Sequence, residues 1–249
     1  FSFYLMFRYY HGKFNNYSPL KNIFSNKNNE MTNIFSFFCK KIKVELKRLD
    51  YKFGDVDVYT MSYNEFNPTD YLDKLTELEK ERYFTFTHIQ RKREFVATRI
   101  LRHQVFGFEH IHYDEVGAPY INQEGYISIS HTKNLVGFAL SKKFKIGFDL
   151  EKAKVKILKI KHKFISTNEE RSFNIESIIE LTKIWSAKET LYKLSGVNGL
   201  NFRKDLELEK TSDNQWKGKI TTPSHIKITT IQIMDINDTI FTLNITPCE

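Results

Sequence analysis

Apolar and charged positions alternate across residues 42–49, and a second apolar-rich run covers 56–61. Side chains two apart on a strand share a face, so both runs predict β-strands. Asn67-Pro68-Thr69-Asp70 then reads as a helix start, with an amphipathic helix following to about Phe84. Thr87 and Gln90 stand at capping-box spacing. The helix they open is expected to carry Ile89, Val96, Ile100 and Val105 inward, with Arg91, Lys92, Arg93, Arg99 and Arg102 on its other faces, and to end near Gly107. Gly117-Ala118-Pro119 marks a turn. Residues 126–130 and 135–141 read as strands joined by His131-Thr132-Lys133-Asn134, and 145–150 as one more short strand.

The second half repeats this style. Ser166 or Thr167, ahead of Glu169 and Glu170, begins a short helix, and Ser177 with Glu180 repeats the capping pattern. Ile178, Leu181, Ile184, Trp185, Lys188, Leu191 and Tyr192 recur at helical spacing, and Gly196 supplies a stop. Strand-like runs follow at about 204–209, 216–221, 225–234 and 239–245. Helices packed on antiparallel strands in each half imply an α+β fold, while the pattern leaves the topology open.

A chain of 249 residues holds one large domain or two ordinary ones. With 41% hydrophobic and 27% charged residues it buries a core, which excludes wholesale disorder. The net charge of +8 favours anionic partners without choosing among nucleic acid, acidic membrane, phosphorylated cofactor and acidic protein. Cys39 and Cys248 have no metal-knot or disulfide spacing, which suits a reducing cytoplasm. The apolar run 1–10 contains Arg8, is too short to span a bilayer and lacks a signal-peptide pattern. Residues 1–30 are expected to be an upstream extension or loosely held tail, with the folded protein starting near Met31.

Three segments carry candidate chemistry. In Ile146-Gly147-Phe148-Asp149-Leu150-Glu151 a strand places Asp149 and Glu151 on one face, two hard-oxygen donors suited to Mg²⁺. In Trp185-Ser186-Ala187-Lys188-Glu189-Thr190-Leu191-Tyr192-Lys193, Glu189 and Lys193 lie one helical turn apart. Ser130-His131-Thr132-Lys133-Asn134 offers hydroxyl, imidazole and ammonium in one turn, a combination that holds phosphate. Taken singly, each also reads as ordinary surface: solvated acids, an i,i+4 ion pair, a polar hairpin.

Taken together, Gly117-Ala118-Pro119, Ile129-Ser130-His131-Thr132, Ile146 to Glu151 and Trp185 to Lys193 resemble the ordered motifs of the 4′-phosphopantetheinyl transferases, over about residues 75–205. The likeness is to the long, two-halved type typified by the surfactin-synthetase activator. Ala118 stands where that family often has Lys, so that Lys133 or an upstream Arg is left to supply the missing phosphate contact.

The resemblance implies an α+β fold of two similar halves related by a pseudo-twofold axis. An N-terminal half of residues 31–144 would meet a C-terminal half of 145–249, with coenzyme A between them, in a cytoplasmic monomer. It implies transfer of the 4′-phosphopantetheine arm of coenzyme A to a serine of an acidic apo acyl or peptidyl carrier protein, dependent on Mg²⁺ or Mn²⁺, with release of 3′,5′-adenosine bisphosphate. Asp149, Glu151 and Glu189 would bind the metal; Glu189 would be the general base; Lys193 would stabilise the leaving phosphate, with Lys188 beside it. Ser130 and His131 would bind the phosphates of coenzyme A, and Arg99 its 3′-phosphate, with Arg91 and Arg93 as weaker candidates. The rival readings are a non-catalytic coenzyme A or nucleotide binder on the same scaffold, and an RNA-binding module. The second lacks any aromatic-rich motif of the common RNA-binding domains, so neither nucleic acid nor membrane is an expected partner.

Overall fold

The computed structural model describes residues 46–122 and 125–249. The tail expected at 1–30, the start proposed at Met31, Cys39 and the beginning of the strand expected at 42–49 lie outside the described residues. The described part is a mixed α+β structure built on two antiparallel sheets.

The first sheet has six strands: β1 (Lys47–Phe53), β2 (Val56–Ser62), β3 (His112–Tyr113), β4 (Pro119–Ile121), β5 (Gly125–Thr132) and β6 (Leu135–Ser141), in the order β1-β2-β6-β5-β4-β3. After β2 the chain makes a 3₁₀ turn at Pro68–Lys74, capped by Asn67, and enters α1 (Glu77–Thr85). A capping box formed by Thr76 and Glu79 opens α1. The longer α2 (Ile89–Phe106) lies over β2 and β6 and stops at Gly107, whose φ of 67° few other residues adopt.

Two expectations for α2 do not hold. The Thr87–Gln90 spacing makes no cap: His88 occupies the cap position without a side-chain bond, and Gln90 reaches Tyr63 and Glu94 instead. Ile89, in the first turn, is 51% exposed, and the buried stripe is Phe95, Val96, Ala97, Ile100 and Leu101. Arg99 and Arg102 are buried as well, because Glu79 of α1 faces them. Its Oε2 lies 2.6 Å from Arg102 Nη2 and its Oε1 3.3 Å from Arg99 Nε. Desolvation lowers the pKa of the Arg102 guanidinium while Glu79 pulls the other way.

The second sheet has five strands, β7 (Phe148–Glu151), β8 (Leu206–Lys210), β9 (Gln215–Thr221), β10 (Ile226–Ile236) and β11 (Thr239–Asn244), in the order β7-β11-β10-β9-β8. Between β7 and β8 run the short helices α3 (Lys156–Ile160) and α4 (Thr167–Ser172), then α5 (Ile178–Ser195). Ser166 and Glu169 form the capping box of α4, Ser177 caps α5, and Gly196 ends α5 with φ 66°. Leu181, Ile184, Ala187, Leu191 and Leu194 of α5 pack on Leu206, Trp216, Ile220 and Ile231 of the sheet.

A second core joins the two sheets. Val56, Val58 and Ala139 of the first meet Phe148, Leu150, Phe241 and Leu243 of the second. At this junction β7 is, among the described residues, an edge strand paired only with β11. Its outward amides are satisfied from the other sheet: Phe148 N–H donates to Ser128 Oγ at 3.0 Å and Leu150 N–H to Ser130 Oγ at 3.1 Å. Ser128 and Ser130 sit two apart on β5, the spacing that turns both hydroxyls to one face. On the other side β7 lies against α5 so closely that a Cβ on Gly147 would overlap the Thr190 carbonyl oxygen. Among the described residues no helix is long and apolar enough to cross a membrane.

Candidate active site

Two stripes of α5 that do not face the sheet core meet β7. Trp185, Glu189 and Lys193 recur every fourth residue, and Ser186 and Thr190 form the adjacent row. Lys193 Nζ donates to Asp149 Oδ1 at 2.8 Å and to the Phe148 carbonyl at 2.9 Å. Trp185 Nε1 donates to Glu151 Oε1 at 3.3 Å. Ser130 Oγ donates to Asp149 Oδ1 at 2.8 Å, and Ser186 Oγ to Oδ2 at 2.9 Å. The structure therefore brings together Asp149, Glu151, Glu189 and Lys193, which come from sequence segments some forty residues apart.

Two of the three carboxylates, Glu189 and Glu151, are disfavoured as charges by burial and by their acidic neighbours. Burial pushes Glu189 up to about 7, helped by Asp149 and Glu151 and opposed by Lys193. Burial and then Asp149 also raise Glu151, with Lys154 and Trp185 acting against them. Among the described residues the Glu189 side chain accepts no hydrogen bond, so its acceptor capacity is open.

Whether these residues fit a divalent cation turns on their chemistry. Three crowded carboxylates with hard oxygen donors and mutual repulsion suit Mg²⁺ or Mn²⁺. As arranged, among the described residues no group of three or more acids, His or Cys forms a ready cage. Mg²⁺ does not need one, since it keeps several waters and takes one or two carboxylates plus substrate phosphates. The donor set fits.

Beside the acids opens a cavity of about 670 Å³ walled by α1, α2, the strands β4 and β5, and the end of α5. Among the described residues Arg82, Arg91, Arg99, Lys145 and Lys193 line it against only Glu94 and Asp114, with Phe95, Tyr113, Tyr120, Tyr126 and Tyr192 as aromatic walls. A cationic, aromatic-sided cleft of this size suits a phosphorylated, ring-bearing ligand. Lys193 borders the cavity and also holds Asp149, so it connects cleft and carboxylates.

The expected phosphate ligands divide into two groups. Arg99 lines the cavity, stacks its guanidinium 3.8 Å from the centre of the Phe95 ring, and donates to Tyr113 Oη at 2.9 Å. His131 also lines it, 3.1 Å from Glu94 Oε2 and 3.4 Å from Arg91 Nη1. Burial pushes its imidazole below the usual histidine value, while Glu94 opposes the shift. Ser130 does not open to the cleft: it is buried, and its hydroxyl donates to Asp149 and accepts from Leu150. Lys188 is also drawn away. It is fully buried on the opposite side of α5, where its ammonium meets Glu169 Oε2 at 2.7 Å and the carbonyls of Phe164 and Phe202. A phosphate role for Lys188 is corrected to a structural one, because all its donors are taken within the core.

Arg93 likewise turns to the Phe66 carbonyl and Glu65 rather than the cleft. Ala118 does line the cavity, but Lys133 borders a separate one of about 430 Å³. Arg82, Arg91 and Lys145 line the same cavity as Ala118. Arg82, whose guanidinium stacks 4.2 Å from the Tyr113 ring centre, and Lys145 escaped sequence reading. Nothing in the local pattern separates Arg82 from the other charges of a solvated helix.

No curated protein matches the chain. Residues 145–238, which carry β7, α5 and the strands β8 to β10, match the family model of the 4′-phosphopantetheinyl transferase superfamily. That segment, with its Gly-x-Asp-x-Glu strand and Lys-Glu-x-x-x-Lys helix brought side by side, carries the chain's similarity to the 4′-phosphopantetheinyl transferase superfamily.

Proposed function

We propose that this protein transfers the 4′-phosphopantetheine arm of coenzyme A to a serine hydroxyl of an apo carrier protein. The observation that carries this reading is the convergence of Asp149, Glu151, Glu189 and Lys193 at the edge of the cationic cleft. The superfamily in general uses coenzyme A and acts on carrier proteins, which supports the substrate classes.

In this reading Arg99, His131 and the neighbouring cleft cations hold the phosphates of coenzyme A. Asp149, Glu151 and Glu189 would hold Mg²⁺, which would supply charge neutralisation and Lewis-acid chemistry for the pyrophosphate. The carrier serine oxygen attacks the β-phosphorus. A new P–O bond forms as the bond to 3′,5′-adenosine bisphosphate breaks. Glu189 receives the serine proton, directly or through a water. Burial and the neighbouring acids raise Glu189 in the metal-free site, and a cation beside it would favour the ionised form that can take a proton. Lys193 faces the charge that builds on the departing phosphate. The two sheet-and-helix units are read as pseudo-twofold halves meeting near residue 144, so that one cytoplasmic chain supplies the whole site as a monomer.

The test is incubation of the full chain with coenzyme A, Mg²⁺ and a panel of apo carrier proteins, read by intact mass. The expected result is a gain of one phosphopantetheine on one or more carriers, abolished by a chelator and restored by Mg²⁺ or Mn²⁺. Coenzyme A binding without modification of any carrier would favour a non-catalytic binder on the same scaffold. Full transfer in excess chelator would remove the metal from the mechanism.

A further inference from the structure

Asp149 is 5% exposed, and its carboxylate makes an unequal set of bonds. Oδ1 accepts from both Ser130 and Lys193. Among the described residues Oδ2 accepts only from Ser186, at 2.9 Å. An ionised carboxylate has about four acceptor sites, so these three donors leave one, on Oδ2.

Behind Ser186 lies a row of buried hydroxyls. Ser186 Oγ is 2.9 Å from Thr242 Oγ1, and Thr242 Oγ1 is 2.7 Å from Thr190 Oγ1. Thr190 Oγ1 also lies 3.0 Å from the Thr242 carbonyl oxygen. All three residues have no solvent exposure. A hydroxyl carries one proton, and that fixes the direction of every bond. An ionised Asp149 only accepts, so Ser186 must donate to it. The Ser186–Thr242 contact then requires the proton of Thr242. The Thr190–Thr242 contact in turn requires the proton of Thr190, shared with the carbonyl. The row is thus directed from Thr190 through Thr242 and Ser186 to Asp149. Each hydroxyl polarises the next, which strengthens the last bond in the series.

The geometry points to Ser186, backed by Thr242 and Thr190, as a positioning residue for Asp149. It holds the carboxylate at one rotation, so that the remaining acceptor site of Oδ2 is presented to the cation. The row ties three elements to that one oxygen: α5 through Ser186 and Thr190, β11 through Thr242, and β7 through Asp149 itself. The Thr242–Asp149 strand register sets the spacing between the second hydroxyl and the carboxylate. The inference rests on the metal-dependent transfer proposed above.

The experiment compares full-length wild type, Ser186→Ala, Ser186→Cys and Thr242→Val. Mn²⁺ binding in the presence of coenzyme A is measured by electron paramagnetic resonance, coenzyme A binding without metal by calorimetry, and carrier modification as a function of Mg²⁺. Losing a partner that orients a metal ligand typically weakens the metal ten- to a hundredfold. Ser186→Ala is expected to raise the Mn²⁺ dissociation constant by that factor, with metal-free coenzyme A binding unchanged and turnover largely recovered at saturating Mg²⁺. Thr242→Val, nearly isosteric, keeps the final donor and removes only its polarising partner, so a smaller rise in the same direction is expected. Ser186→Cys, with a weak donor, should fall between wild type and Ser186→Ala. A Mn²⁺ constant within twofold of wild type in Ser186→Ala overturns the inference. Should that variant not fold, an unchanged constant in Thr242→Val overturns it instead. A wild type that binds no Mn²⁺ with coenzyme A present overturns the metal-dependent reading, and this inference with it.

Discussion

Lys188 and Glu189 leave α5 in different directions, and their surroundings set different roles. The Lys188 ammonium is held by Glu169 and two carbonyls in the core of the second sheet, and Glu169 also accepts from the Ser166 and Leu208 amides. Removing the cation would strand a buried carboxylate, which costs about 3–5 kcal/mol. Lys188→Met should therefore lower the unfolding free energy, read from urea denaturation, by an amount of that order. Glu189→Gln should leave that free energy nearly unchanged and cut turnover at least about a hundredfold, since general-base catalysis contributes 10²–10⁴. Near wild-type turnover in Glu189→Gln would remove its assigned role. Arg99 gives a second prediction at this scale. Arg99→Ala should weaken coenzyme A binding by about 1.5–3 kcal/mol, roughly ten- to a hundredfold. It should also erase the preference for coenzyme A over its dephospho form. A preserved preference would move the 3′-phosphate to another cleft cation, such as Arg82 or Arg91.

Among the elements, β7 and α5 set the site through their closeness. Gly147 lets the strand lie against the Thr190 carbonyl, and its own amide donates to Asn244 Oδ1 at 2.7 Å. Gly147→Ala should force strand and helix apart, at a cost of about 1–3 kcal/mol. It should lower turnover more than coenzyme A affinity, because Asp149 then parts from Ser186 and Lys193 while Arg99 stays in place. Thermal unfolding alongside separate kcat and KM values checks this; equal loss in both would point to general damage. These elements were also the most legible in sequence. The periodicity of α5, the capping serines at 166 and 177 and the stop at Gly196 are local signals, and local physics kept them. The misreadings at Arg102, Lys188 and Ser130 depended on partners remote in sequence. Arg102 is buried because Glu79 lies across from it, Lys188 because Glu169 does, and Ser130 turns inward because β7 presents an amide and a carboxylate to it. A single helix or hairpin read alone contains none of those partners.

For the whole molecule, the basic excess has a place as well as a total. Lys154, Lys156 and Lys159 are exposed just past the end of β7, next to Glu151. An acidic carrier approaching the site would meet them, and such attraction is screened within about 8 Å at physiological ionic strength. Reversing all three to Glu should raise the KM for the carrier at low salt and leave that for coenzyme A little changed. The difference from wild type should vanish at high salt. Equal losses for both substrates would indicate a damaged cleft, and no loss would leave these lysines as solvated surface.

The seal on β7 bears on how the chain can be divided. The segment that matches the superfamily begins at residue 145, so residues 145–249 look like a natural fragment to express. Cut there, β7 would lose the two serine hydroxyls that cover its outer amides, together with the apolar side chains of Val56, Val58 and Ala139 that cover Phe148 and Leu150. What remains is a bare sheet edge with hydrophobic side chains beside it, a template for pairing with other copies. The fragment should aggregate on expression and regain solubility when residues 46–144 are co-expressed. A monodisperse, soluble fragment would show that the serine seal is dispensable.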